Sequence, residues 1–190
     1  MAQLLPFRDY DEHDVINLFA YDYSGSSVTK GALVKVKTST GWQANDELDH
    51  SNSMISFTLN NVVSDRYAVT ARVDLAGSGN VPLGMLLYDV AETDENGEKL
   101  IYNPRKAAEM QTTVSGQAVP VLTKGLVLVQ DIDGAASVAA GGYAYCGSGT
   151  AANGGISATA GGTKKKIGRW LGATGTKGEA LLHFDANMDA

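Results

Sequence analysis

Thr-Lys-Gly occurs three times in the chain, at Thr29-Lys30-Gly31, Thr123-Lys124-Gly125 and Thr176-Lys177-Gly178, each time running into a short apolar stretch. Those stretches are residues 32–36, 126–129 and 179–184. Glycine accepts the positive φ of a tight turn, and an apolar run of four to six residues behind it has the length of a buried or half-buried strand. A turn-then-strand device therefore recurs at the start, middle and end of the chain. Asp133-Gly134 behind the middle copy adds a hairpin-type turn signal. The uneven spacing excludes a solenoid or propeller. The expectation is an all-β fold, a small barrel or sandwich.

The remaining strands follow from alternation and turn residues. Residues 55–59 and 67–73 alternate as half-buried strands do, and residues 81–90 form the longest apolar run. Pro82 belongs at the start or edge of that strand, because it has no N–H to give a ladder. Asn96-Gly97 predicts a hairpin returning through residues 100–102. Asn103-Pro104 followed by alanines predicts one short helix over residues 103–110, capped by Asn103 with Pro104 in its first turn. Further strands are expected at 119–129, 142–145 and 167–171, around a loop of small residues at 141–163 with a turn at Asn153-Gly154.

With 190 residues the chain can bury a core without covalent staples. Cys146 is the only cysteine, which excludes an internal disulfide and a cysteine-based zinc site and fits an inert buried thiol. A net charge of −6 argues against nucleic acid as the main partner. No apolar run has the length of a membrane span, and the first residues do not continue into a signal-peptide core, so synthesis in the cytoplasm is expected.

Charge is unevenly spread. Residues 1–27 carry Arg8 against Asp9, Asp11, Glu12, Asp14 and Asp22, whereas residues 134–178 hold no acid and carry Lys164, Lys165, Lys166, Arg169 and Lys177. Either these are solvated surfaces, or each meets an oppositely charged neighbour in an assembly. Residues 1–27 read as an extended N-terminal arm preceding a barrel domain at 28–190. Its run at 15–21 is either a first barrel strand or a docking strand. In the second case Phe7, Tyr10, Ile16, Leu18, Phe19, Tyr21 and Tyr23 supply the contact side chains. Lys164, Lys165, Lys166 and Arg169 form the candidate basic contact patch.

No catalytic constellation emerges. His13, His50 and His183 are dispersed, and nothing near them suggests a triad or a shared metal. Asp46, Glu47, Asp49 and His50 lie in a polar stretch and read as solvated. The acids at 94–98 miss the calcium-loop pattern, because glycine comes fourth rather than sixth. Gly147-Ser148-Gly149 lacks the Gly-Lys-Ser/Thr ending of a phosphate loop, and Cys146 breaks the Gly-x-Ser-x-Gly nucleophile pattern. No cofactor or metal is expected.

The order of segments nevertheless resembles a known family. An extended arm is followed by Lys-Gly-Ala-Leu-Val-Lys-Val at 30–36 and Pro-Leu-Gly-Met-Leu-Leu-Tyr-Asp-Val at 82–90. A glycine-rich loop at 141–162, Lys-Ile-Gly-Arg-Trp-Leu-Gly-Ala at 166–173 and a closing strand at 178–184 complete it. This order is similar to that of the small β-barrel, or β-tulip, cement (decoration) proteins of tailed-bacteriophage capsids. The polar stretch at 41–61 and the helix near Asn103 are not clearly part of the shared pattern. The resemblance implies a non-enzymatic virion protein, made in the host cytoplasm and bound to the outer capsid surface. Its partners would be the major capsid protein and itself, as a homo-oligomer with a trimer favoured, and neither nucleic acid nor membrane. Removal of residues 1–23 would then leave the barrel folded and abolish capsid binding. A head-fibre base or other virion structural protein, or a carbohydrate-binding β-barrel, is the alternative; aromatics gathered on one exposed face would favour the last.

Overall fold

A computed structural model describes residues 3–5, 13–21, 27–39, 71–114, 116–147 and 154–189. Its strands are β1 (Gln3–Leu5), β2 (Val15–Ile16), β3 (Ala20–Tyr21), β4 (Leu33–Val36), β5 (Arg72–Leu75), β6 (Gly84–Leu86) and β7 (Asp89–Val90). After α1 (Pro104–Glu109), the one α-helix among the described residues, come β8 (Thr112–Thr113), β9 (Val121–Leu122), β10 (Lys124–Gln130), β11 (Tyr143–Gly147), β12 (Gly155–Ser157), β13 (Lys166–Trp170) and β14 (Ala180–Asp185). The fold is all-β with one short helix, and its sheet curls into a half-barrel.

Two six-stranded sheets make the body. Sheet I runs β1-β10-β14-β13-β11-β12 and sheet II runs β2-β9-β6-β4-β5-β3, while β7 and β8 pair separately. Alternation in sheet II decides what each face meets. Val15, Leu122, Met85 and Leu33 are register partners across four strands and face a core shared with Val127, Trp170, Leu182 and Phe184 of sheet I. Their chain neighbours Ile16, Val121, Leu86 and Val34 turn to the opposite face, into a second core with Phe19, Tyr21, Val28 and Val90. Across β2, β9, β6 and the start of β4 sheet II is thus apolar on both sides, which is why these segments read as continuous hydrophobic runs, whereas Lys35 and Asp74 pair farther along β4 and β5. A third small core, Leu100, Ala107 and Val114, holds the helical unit between β7 and β8.

The chain passes from sheet II to sheet I at Thr123, between β9 and β10. Its N–H and Oγ1 donate to the Asp14 carbonyl at 2.7 and 2.9 Å, and its own carbonyl accepts from Ala186 at 3.0 Å. Beside β12, Gly154 laces the two sheets: its N–H donates to Ala76 O at 2.7 Å and its carbonyl accepts from Leu33 at 2.9 Å. Gly154 has φ +81°, and a Cβ there would stand 2.9 Å from Leu75 Cδ2.

Several expectations change in detail. Gly31 and Gly178 adopt the left-handed turn conformation ahead of β4 and β14, with φ of 90° and 78°. Gly125 instead lies within β10, opposite Phe184, with Gly168 on that ring's other side. Two glycines flanking one large aromatic give its ring room on the inner face. Residues 81–90 divide into β6 and β7 behind Pro82. The Asn96-Gly97 turn closes with a Thr93–Lys99 bridge, but residues 100–102 then form a 3₁₀ turn rather than a return strand. Gly134 is left-handed and leads into another 3₁₀ turn, Ala135–Ser137, so no tight hairpin forms there. The helix is capped as expected, Asn103 Oδ1 accepting from Lys106 N–H at 3.3 Å. Residues 41–61, including the candidate strand at 55–59, lie outside the described residues, as do residues 67–70 and Asn153.

Within residues 1–27 the described parts are strands of the body. β1 pairs with β10, β2 with β9, and β3 runs parallel to β5. Leu4, Phe19, Ala20 and Tyr21 are core residues. The boundary at residue 27 therefore cuts through both sheets. Removing residues 1–23 would take Leu4 from one hydrophobic core and Phe19 and Tyr21 from the other, so the truncated chain should lose stability, where the sequence reading has the barrel stay folded.

Candidate functional site

Of the arm residues, Ile16 packs against the second core, and Phe19 and Tyr21 are buried at 7% and 5% exposure. Side chains so enclosed have no surface to offer a partner, and the docking role read for Phe19 and Tyr21 is corrected to core packing. Leu18 points the other way and is 44% exposed. Phe7, Tyr10 and Tyr23 lie outside the described residues.

The basic stretch also divides, because strand alternation sends neighbouring side chains to opposite sides. Lys164 turns inward: its Nζ lies 2.8 Å from Ser157 Oγ and 3.4 Å from both Asp133 Oδ2 and the Thr159 carbonyl. Asp133 and Ser157 are bridge partners, so Lys164 ties the turn after β10 to the edge strand β12. It is a structural tie and leaves the contact patch. Lys165 contributes a carbonyl that accepts from Cys146 N–H at 2.7 Å, and its side chain is half-buried.

Lys166 and Arg169 form the patch proper, on the outer face of sheet I. Each cation stands 4.9 Å from the centre of the Tyr143 ring, and Arg169 also donates to the Tyr143 hydroxyl at 3.1 Å. A β-bulge permits this: Tyr145 pairs with Lys166 and Ala144 with Gly168, so the intervening Ile167 buries its side chain while Lys166 and Arg169 stay outside. Tyr143, Arg169, His183 and Leu126 are register partners in one row across β11, β13, β14 and β10. Asp189 accepts from the Lys166 backbone N–H at 3.4 Å. The result is a cationic strip on an aromatic ring, with Arg169 exposed between half-buried Tyr143 and His183. The basic run was readable from sequence; that Lys166 and Arg169 share a face was not, because it depends on the bulge, nor was the Tyr143 contact, because it crosses strands.

A second feature had no sequence signal. A groove of about 440 Å³ lies between α1, β8 and the segment leading into β3, bordered by Asn17, Tyr88, Ile101, Thr112, Gln117 and Pro120 among others. Beside it Tyr88 is 40% exposed and Tyr102, next to Ile101, is 79% exposed.

Cys146 is fully buried on the inner face of β11, its Sγ 3.5 Å from Gly77 O, and burial pushes its thiol up to about 11. Such a thiol is a packing group rather than a nucleophile. Among the described residues no group of three or more His, Cys, Asp or Glu is placed to hold a metal, and no helix is long and apolar enough to cross a membrane. The class that the fold defines is an all-β body with one short helix. No protein-family model matches the chain, and no curated protein matches it.

Proposed function

We propose that this chain is a capsid cement protein, a virion structural component that binds the outer surface of a tailed-phage head and bridges neighbouring major capsid protein subunits. The observation that carries the reading is the order of its segments, from residues 30–36 through 82–90, 141–162 and 166–173 to 178–184. An all-β body with a cation-bearing sheet face supports it. The protein works without catalysis, as a homo-oligomer with a trimer favoured. Contacts to several shell subunits act together, so each can be weak while the assembly is held by a high effective concentration. Rupture of the shell must then break cement contacts as well as capsid contacts. The outer face of sheet I, with Lys166, Arg169 and Tyr143, is the docking face, with exposed Leu18 as a separate apolar contact.

The test is co-sedimentation with empty heads assembled from the accompanying major capsid protein. Saturable occupancy is expected, and the K166E/R169E pair should lose at least about tenfold in affinity, since charged pairs at interfaces cost several kcal/mol when reversed. No sedimentation of the wild-type chain with heads overturns the reading. Unchanged occupancy by the folded double variant overturns the assignment of the face.

A further inference from the structure

We propose that the groove between α1 and β8 is a binding site for a neutral pyranose sugar, independent of the docking face on sheet I. Its volume, about 440 Å³, lies within the range of small-ligand sites. Among the described residues no charged side chain lines it. The two cations of α1 are turned to carboxylates instead: Arg105 Nε bonds Glu109 at 3.0 Å, and Lys106 pairs with the buried Asp94. An anionic ligand would therefore find no counter-charge.

A purely apolar ligand fits no better, because amides and hydroxyls stand among the apolar lining. Gln117 uses Oε1 to accept from Val114 N–H at 3.3 Å, which fixes its amide and leaves the NH₂ as the donor. Asn17 is exposed and its amide makes no hydrogen bond among the described residues. Thr113 adds a hydroxyl, the Thr112 hydroxyl already donates to the Met110 carbonyl at 3.4 Å, and Leu100, Ala107 and Val114 form an apolar floor. Tyr88 supplies a partly exposed aromatic face. A pyranose matches this set: one C–H face packs on an aromatic ring, and its hydroxyls both donate to and accept from side-chain amides. The groove is shallow and its polar contacts few, so single-sugar affinity should be on the order of 1 mM, as befits a small ligand.

Saturation-transfer NMR on the full chain, with a panel of methyl glucoside, galactoside, mannoside and N-acetylglucosaminide, tests the site. At least one sugar should receive saturation at its C–H face and shift the amides of residues 88, 112–114, 117 and 118. Tyr88→Ala and Asn17→Ala should each weaken binding about fivefold or more, corresponding to roughly 1 kcal/mol. Asn17 makes no bond within the described residues, so its variant keeps the fold if Tyr88→Ala does not. High salt should leave binding unchanged, since no ion pair forms. No amide shift with any of the four sugars, binding indifferent to both variants, or binding abolished by salt overturns the proposal. None of these outcomes touches head binding, which is read separately.

Discussion

Glycines that look alike in the sequence have opposite roles in the fold. At Gly168 an added Cβ would lie 2.3 Å from the His183 carbonyl oxygen and 2.8 Å from Leu182 Cδ1. At Gly84 it would lie 2.3 Å from the Leu122 carbonyl oxygen and 2.6 Å from Val121 Cγ1. Backbone atoms of a paired strand cannot move aside as a side-chain tip can. Alanine at either position should destabilise by about 1–3 kcal/mol, the usual cost of overpacking. Gly172 has no neighbour within 4 Å and no positive φ, so Gly172→Ala should be neutral or stabilise by about 0.4–1 kcal/mol through the unfolded chain. Urea midpoints of the three variants check the ordering; equal midpoints for Gly168→Ala and Gly172→Ala would refute it. Nothing local in Lys-Ile-Gly-Arg-Trp distinguishes the crowded glycine from the open one, because the crowding comes from β14.

One carboxylate adds to the third core in holding the helical unit between β7 and β8. Asp94 accepts from the Asn96 and Glu98 N–H groups, each at 2.8 Å, and pairs with Lys106 on α1. The hydrogen bond from Lys106 is the main cause holding Asp94 below the ordinary value of 3.8, and the same bond holds Lys106 above its ordinary 10.5. A carboxyl with a depressed folded-state pKa stabilises above its unfolded value, and that contribution is lost as pH falls through the lower, folded value. For the raised lysine the contribution is complete below 10.5 and lost as pH rises beyond it. The unit should therefore be tightest between these limits and loosen in acid before the sheets do. Hydrogen exchange at residues 100–114, compared with β10 and β14, reads this, with Asp94→Asn removing the acid-dependent step. Persistence of that step in the variant would assign it to another group. The helix itself was legible because Asn103, Pro104 and the alanines act within one turn. The link from Asp94 to Lys106 was not, since it spans a loop whose path depends on the third core. Residues 15–21 were ambiguous for a related reason: an apolar alternating run fits a core strand and a docking strand equally, and only the partner strands β9 and β5 decide.

At the scale of the molecule, the two large sheets depend on each other. The main core takes Leu33, Met85 and Leu122 from sheet II and Val127, Trp170, Leu182 and Phe184 from sheet I, so separating the sheets uncovers the inner face of each, while sheet II keeps only its second core. Thr123 carries the chain across between them, and the Gly154 hydrogen bonds join β12 to the ends of β4 and β5. A shared core of this kind unfolds as one unit. Leu33→Ala and Phe184→Ala, in opposite sheets, should cost about 2–5 and 3–5 kcal/mol respectively, and each should move every structural probe together. Cys146 provides the most direct probe, because its buried thiol lies on the inner face of sheet I against the Ala76 and Gly77 carbonyls at the end of β5. Separation of the sheets exposes it. In urea, the labelling of Cys146 by a thiol reagent at mildly alkaline pH should rise along the same curve as the loss of far-ultraviolet circular dichroism, in the wild type and in both variants. Labelling that precedes the loss of strand signal would mean that sheet II can lift from sheet I while the strands persist, and the shared core would not be the cooperative unit.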